Sequence, residues 1–218
     1  LRGGGYKTAC IGKWHLGGKG FGPKEQGFDV VYAGKANTRP SATEGSKGEY
    51  DLTEKAEEFI EANKEMRFFL YLAHNTPHIP FAATADNIEQ HKGAFNPTYA
   101  AVIHHMDACV GRVMAKIDAA GLRENTLFIF ASDNGGLHVL EFPKTPATHN
   151  APFRAGKGYL YEGGTRVPFI VRWPGVTKGG ASTGTPSIHV DIFPTFLELA
   201  KAEARADQKP NRAEAPAD

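Results

Sequence analysis

Four short stretches of this sequence concentrate side chains that bind oxyanions, move protons or hold hard cations. They are GKWHLG at 12–17, HNTPH at 74–78, SDNGG at 132–136 and GKGYLYEGG at 156–164. Lys13 and His15 stand two apart, so on an extended chain they point to one side and Trp14 to the other. Lysine brings a fixed positive charge, and histidine a donor or acceptor tunable near neutral pH. Asp133 and Asn134 offer only oxygen ligands, which suit Ca²⁺ or Mg²⁺ far better than Zn²⁺. Lys157 lies between Gly156 and Gly158, which allow close approach of backbone to a ligand. Together these groups describe a convergent site for an oxyanion beside a hard cation.

Each stretch alone also has a plain reading. Asp-Asn-Gly-Gly is a turn signal, and a glycine-rich run is ordinarily a loop. A single lysine is usually solvated, and His74 and His78 can simply cap a strand end. Position argues against four coincidences. Each stretch adjoins a predicted strand, and in an open α/β sheet ligands bind beyond the carboxyl ends of the strands.

The elements that must position them follow from apolar patterning. Short β-prone runs occupy 8–12 and 30–33. The unbroken apolar runs RFFLYLA at 67–73 and TLFIFA at 126–131 read as strands covered on both faces, and 168–173 as another. A helix is predicted over 51–64, with Asp51 as N-cap, Glu54 three residues on, and Ala56, Phe59 and Ile60 on one face. A longer one is predicted over 97–120. There Tyr99, Val102, Ile103, Met106, Val110, Val113, Met114 and Ile117 form one stripe, and Gly121 and Leu122 supply the stop. A last amphipathic helix covers 188–200. Alternation of strand and helix predicts an α/β fold, a mostly parallel sheet sandwiched by helices, over residues 1–200. Residues 201–218 carry no large apolar side chain and read as a flexible polar tail.

Composition narrows the function classes. The 218 residues are 41% hydrophobic, enough for one well-filled core. Lys and Arg total 25 against 24 Asp and Glu, a net charge of +1 without a basic stripe, which argues against a nucleic-acid partner. No apolar run approaches the roughly 18 residues of a membrane-spanning helix. Cys10 falls in a predicted strand and Cys109 in a predicted helix, so both read as packed core thiols and not as a disulfide framework. The opening Leu-Arg and three glycines resemble a helix end, without initiator Met or signal peptide, so the chain reads as starting in mid-domain.

The chemical stretches, in their order, resemble those of the type I sulfatases, arylsulfatase-like members of the alkaline phosphatase superfamily. YKTACIGKWHLG at 6–17 is similar to that family's second signature. FFLYLAHNTPHIPF at 68–81, SDNGG at 132–136 and GKGYLYEGGTRVP at 156–168 resemble its other active-site segments. Residues 188–199, with Asp191, Pro194 and Thr195, resemble the helix that follows its sheet. The resemblance implies an alkaline-phosphatase-like catalytic domain that hydrolyses sulfate esters of aryl or carbohydrate alcohols. It implies that Lys13 and His15 contact the sulfate and the nucleophile, that His78 protonates the leaving alcohol, and that Lys157 holds a sulfate oxygen. It makes Asp133 and Asn134 metal ligands, usually of calcium. Such assignments suit the chemistry, since cations meet the sulfuryl charge and a histidine acid meets the departing oxygen.

The family pattern further implies a small-molecule or glycan sulfate ester as partner and a periplasmic or extracellular location. Its nucleophile is a cysteine or serine, converted to formylglycine, in a Cys/Ser-x-Pro-x-Arg motif. No such pentapeptide occurs here, for Cys10 is followed by Ile-Gly and Cys109 by Val-Gly. The family's two adjacent N-terminal acidic ligands are absent as well. The expectation is therefore an N-terminally truncated sulfatase domain, with formylglycine in the missing segment and no turnover by these residues alone. Two other readings are a phosphodiesterase or phosphonate hydrolase of the same superfamily, and a non-catalytic relative that binds sulfated glycans. Trp14 and Thr76-Pro77-His78 favour the sulfatase. Specificity is expected in the loops at 35–48 and 137–152, where His138 and His149 read as solvated.

Overall fold

The computed structural model describes residues 1–35, 39–140 and 146–203. The predicted tail thus lies almost wholly outside the described residues. In chain order the elements are β1 (Lys7–Gly12), β2 (Val30–Tyr32), α1 (Glu49–Asn63), β3 (Phe68–Ala73), α2 (Ala85–Gln90), α3 (Pro97–Ala119), β4 (Phe128–Ala131), α4 (Glu162–Thr165), β5 (Phe169–Arg172) and α5 (Ile192–Leu199). The glycine-rich opening forms a single 3-10 turn, Arg2–Gly4, closed by Gly5 at φ 82.

β1 lies between β2 and β3, parallel to both, with Ala9 opposite Val30 on one side and Leu70 on the other. Alternation divides β1 between two layers. Ala9 and Ile11 join Leu52, Ala56, Phe59 and Ile60 of α1 and Val113 and Ile117 of α3 in one buried cluster. Each fully buried Leu or Ile of that cluster contributes about 1.5–3 kcal/mol over an exposed one. Phe69 and Tyr71 of β3 face the opposite way, stacked with Phe28, and Phe196 of α5 packs edge-on against Phe69. The second face is thus only partly covered, with Tyr71 staying 41% exposed, so the expectation of strands covered on both faces holds for β1 and only in part for β3.

The expectation of parallel neighbours holds for these strands and fails for β4 and β5. Those two pair antiparallel, Phe128 opposite Arg172 and Ala131 opposite Phe169. A parallel return needs a long crossover, normally a helix, and between these strands the described residues form only the four-residue α4.

Helix ends also differ from the sequence reading in instructive places. α1 starts two residues before Asp51, after Gly48 in a left-handed conformation. Asp51 does not cap it, because its carboxylate accepts the Tyr32 hydroxyl at 2.5 Å and ties α1 to β2. α3 begins as a capped helix, with the Asn96 side chain accepting the Tyr99 amide and Pro97 in the first turn. It ends as predicted. Gly121, at φ 73, donates to the Asp118 carbonyl, and Leu122 donates to Ile117. The most buried line along α3 runs through Val102, His105, Cys109, Val113 and Ile117. His105 takes the place expected for Met106 because both its ring nitrogens are bonded, to Tyr50 Oη and Asn87 Nδ2, each at 2.8 Å. The last predicted helix divides into a 3-10 turn, His189–Asp191, and α5.

Candidate functional site

The parallel register brings two of the four chemical stretches together. Gly12 and Ala73 are paired at the carboxyl ends of β1 and β3, and the Lys13 amide continues the ladder to the Ala73 carbonyl at 2.8 Å. Gly12 has φ 107, and a Cβ there would lie 1.9 Å from that carbonyl oxygen. Only glycine fits, and it sets Lys13 beside the HNTPH loop.

That loop is held by a residue that sequence reasoning missed. Glu49, the first residue of α1, is 0% exposed. Its Oε1 accepts the amides of Asn75 (3.1 Å) and Thr76 (2.9 Å), and its Oε2 meets His74 Nδ1 at 2.5 Å. A carboxylate only accepts, so Nδ1 is the donor of that pair. The loop then turns through a His78 amide bond to the Asn75 carbonyl. His78 Nδ1 donates to the Ile79 carbonyl at 2.6 Å, which leaves Nε2 facing Lys157 Nζ at 3.4 Å. Burial lowers the His78 pKa from its ordinary value. The charges of Lys157, Lys13 and Lys47 push the same way, against the opposing effect of the Ile79 carbonyl.

Lys157 arrives from the second pair of stretches, which pack backbone on backbone. The Gly135 amide donates to the Gly164 carbonyl at 2.9 Å and the Lys157 amide to Gly136 at 3.1 Å. A Cβ on Gly135 would come within 1.8 Å of the Gly163 oxygen. Asn150 locks the seam, accepting the Gly136 amide and donating to the carbonyls of Gly136 and Ala155 at 2.8–3.0 Å. The bareness of Gly156 serves this packing, a Cβ there lying 2.3 Å from the Gly136 oxygen. That corrects the expectation that it admits a ligand.

Asp133 is exposed at the end of β4, and Asn134 donates its Nδ2 to the Gly135 carbonyl, leaving Oδ1 unused. The Tyr71 hydroxyl is pushed up chiefly by burial, then by Cys10 and by the Asp133 charge, so Asp133 lies within electrostatic reach of β3. Two hard oxygens without an ion pair fit a calcium or magnesium ion. They are only part of a shell, since among the described residues no group of three or more His, Cys, Asp or Glu could hold a metal.

Lys13, His78 and Lys157 thus converge, and they are joined by Lys47, for which the sequence carried no signal. None of the three lysines meets a carboxylate among the described residues. His15 lies exposed two residues beyond Lys13, and Trp14 packs edge-on against Phe28 while donating to the Phe21 carbonyl. Cys10 and Cys109 are buried free thiols. Burial pushes Cys10 up to about 11 and raises Cys109 as well, so neither offers a thiolate.

Fold and site define an α/β protein with a cluster of positive side chains at the carboxyl ends of its strands. A family model described as Sulfatase matches residues 1–202, and the chain belongs to the sulfatase family. It is 36% identical over 160 residues to steryl-sulfatase of Rattus norvegicus, covering 72% of this chain and 27% of that protein. It is 34% identical over 169 residues to the N-acetylgalactosamine-6-O-sulfatase of Bacteroides thetaiotaomicron, covering 75% and 32%. The crystal structure of Ps i-CgsB in complex with k-i-k-neocarrahexaose superposes with a TM-score of 0.81 at 28% identity, over 95% of this chain and 53% of that one. The chain therefore spans about a quarter to a third of these curated relatives and half of the solved structure. Among the described residues no helix is long and apolar enough to cross a membrane.

Proposed function

We propose that the full-length protein hydrolyses sulfate esters of an aryl or carbohydrate alcohol, and that Lys13, His15, His78 and Lys157 serve that reaction. The observation that carries the reading is Lys157 Nζ facing His78 Nε2 at 3.4 Å, with Lys13 near enough for its charge to be felt at the same imidazole. Two ammoniums offer donors to the sulfuryl oxygens, where negative charge gathers in the transition state. His78 Nδ1 is committed to a carbonyl, so Nε2 is the atom that would carry the proton to the leaving oxygen. An anion bound between the lysines favours the imidazolium and so loads that proton. His15, at the rim, would reach the ester from solvent. Asp133 and Asn134 would hold calcium, which supplies further charge stabilisation at a sulfuryl oxygen. No Cys/Ser-x-Pro-x-Arg occurs in these residues, so none of them is proposed as the formylglycine nucleophile that the family resemblance implies. The N-acetylgalactosamine sulfatase names among the relatives support a carbohydrate sulfate, and the periplasmic or extracellular setting rests on the family resemblance.

The test is sulfate release by the full-length protein, with calcium, from nitrophenyl sulfate and from sulfated glycans. Lys13→Ala and Lys157→Ala should each lower kcat/KM on the order of 10²–10³-fold, as loss of one oxyanion donor does elsewhere. Near-normal values for both, or faster turnover of a phosphate diester than of any sulfate ester, would sink the proposal.

A further inference from the structure

Lys47 sits between a tight turn, closed by the Ser41–Ser46 bridge, and the start of α1. Its side chain is 1% exposed, and its Nζ has no hydrogen-bond partner among the described residues. The nearest carboxylate in sequence, Glu49, is already engaged through both oxygens by His74 and the amides of Asn75 and Thr76. The loop that Glu49 holds repeats the anomaly. Asn75 Oδ1 and Nδ2 and Thr76 Oγ1 are buried and equally unpartnered. A buried ammonium is tolerated only when something compensates its charge. The compensation cannot come from the cations it faces. Lys13 disfavours its charge, burial does so more strongly, and the Lys47 charge in turn is felt at His78.

We infer that Lys47 is a further anion-holding residue of this site, its ammonium donating to a sulfuryl oxygen held by Lys13 and Lys157 against His78. The observations that carry it are a nine-tenths-buried donor left without a carboxylate, and its place two residues before Glu49, the clamp of the loop that carries His78. The inference rests on the sulfate-ester reading above and adds to it. A purely structural lysine would gain nothing from burial near the Lys13 charge. An oxyanion at the centre of the three resolves all of them together, and Asn75 and Thr76 supply polar groups in the wall beside it.

The probe is inorganic sulfate, titrated calorimetrically into the full-length protein, unsubstituted and as Lys47→Met, Lys13→Met, Lys157→Met and the exposed control Lys55→Met. Lys47→Met should weaken sulfate binding by about 10- to 150-fold, the range for losing one charge-assisted hydrogen bond. Its melting temperature without sulfate should stay level or rise, because an uncompensated charge has left the interior, and Lys55→Met should change neither. If Lys47→Met unfolds the protein, Lys47→Gln, which keeps a donor without the charge, is expected to weaken sulfate binding several-fold instead. Unchanged sulfate affinity in a folded Lys47 variant, with Lys13→Met and Lys157→Met impaired, overturns the assignment of Lys47 and leaves the site standing. Unchanged affinity in all three variants, or no sulfate binding by the unsubstituted protein, overturns the anion site itself and Lys47 with it.

Discussion

Glu49→Ala should be among the most damaging single substitutions in this fold. The carboxylate is fully buried and serves three donors, the amides of Asn75 and Thr76 and the Nδ1–H of His74. A hydrogen bond to a charged group contributes about 1.5–3 kcal/mol, but three bonds to one carboxylate do not add. Each buried donor left without its acceptor costs about 1–3 kcal/mol, and allowing for non-additivity we take about 3–5 kcal/mol as the expected loss. That is a large share of the roughly 5–15 kcal/mol that holds a domain together. Glu49→Gln should cost less, about 1–2 kcal/mol. Its oxygen can still serve both amides, and only the amide nitrogen opposes His74, whose other tautomer can accept. Urea unfolding of the full-length protein gives both numbers. Activity should fall further than stability explains, since the same loop carries His78 and displacement of about 1 Å can cost 10²-fold. A loss under about 1 kcal/mol for Glu49→Ala, or equal losses for both variants, would refute the clamp.

Three further outcomes are expected. His78→Ala should reduce turnover of alkyl and sugar sulfates far more than of nitrophenyl sulfate, whose leaving group hardly needs a proton; equal losses would count against an acid role. The acid form of His78 is required and its pKa is lowered, so kcat/KM should fall as pH rises through a value below that of free histidine. The limb in kcat should lie higher, because bound anion favours the imidazolium, and a kcat/KM limb above pH 7 would contradict the burial. Asp133→Ala should lower bound calcium and activity together, and a variant that keeps both removes Asp133 as a ligand. Cys10 and Cys109 should resist a soluble disulfide reagent in the folded protein, and rapid labelling of either would contradict their burial.

What could be read in advance was what repeats along the chain. The apolar runs located β1, β3 and β4, and the stripe and Gly121 stop located α3 within a residue or two. The four chemical stretches were legible because their residue types are unusual together. Glu49 and Lys47 were not, because nothing in SKGEY distinguishes a buried polar residue from a solvated one. Their importance appears only when α1 is laid against the loop after β3. Asn150 was missed for the same reason, since its three bonds join backbones that are distant along the chain. Asp51 shows the converse error. Local pattern made it a cap, and a tyrosine hydroxyl from β2 claimed it first.

The seam between the two glycine-rich loops has a mechanical meaning. Apart from the Asn150 side chain that bridges it, the seam is backbone on backbone, and a methyl group inserted at Gly135 or Gly163 has nowhere to go. The stretch ending in Asp133 and Asn134 and the stretch bearing Lys157 therefore travel as one rigid piece, or part altogether. Within this architecture the spacing of those charges is a constant of the scaffold. The rim is where chain length and side chains can change without shifting the frame beneath.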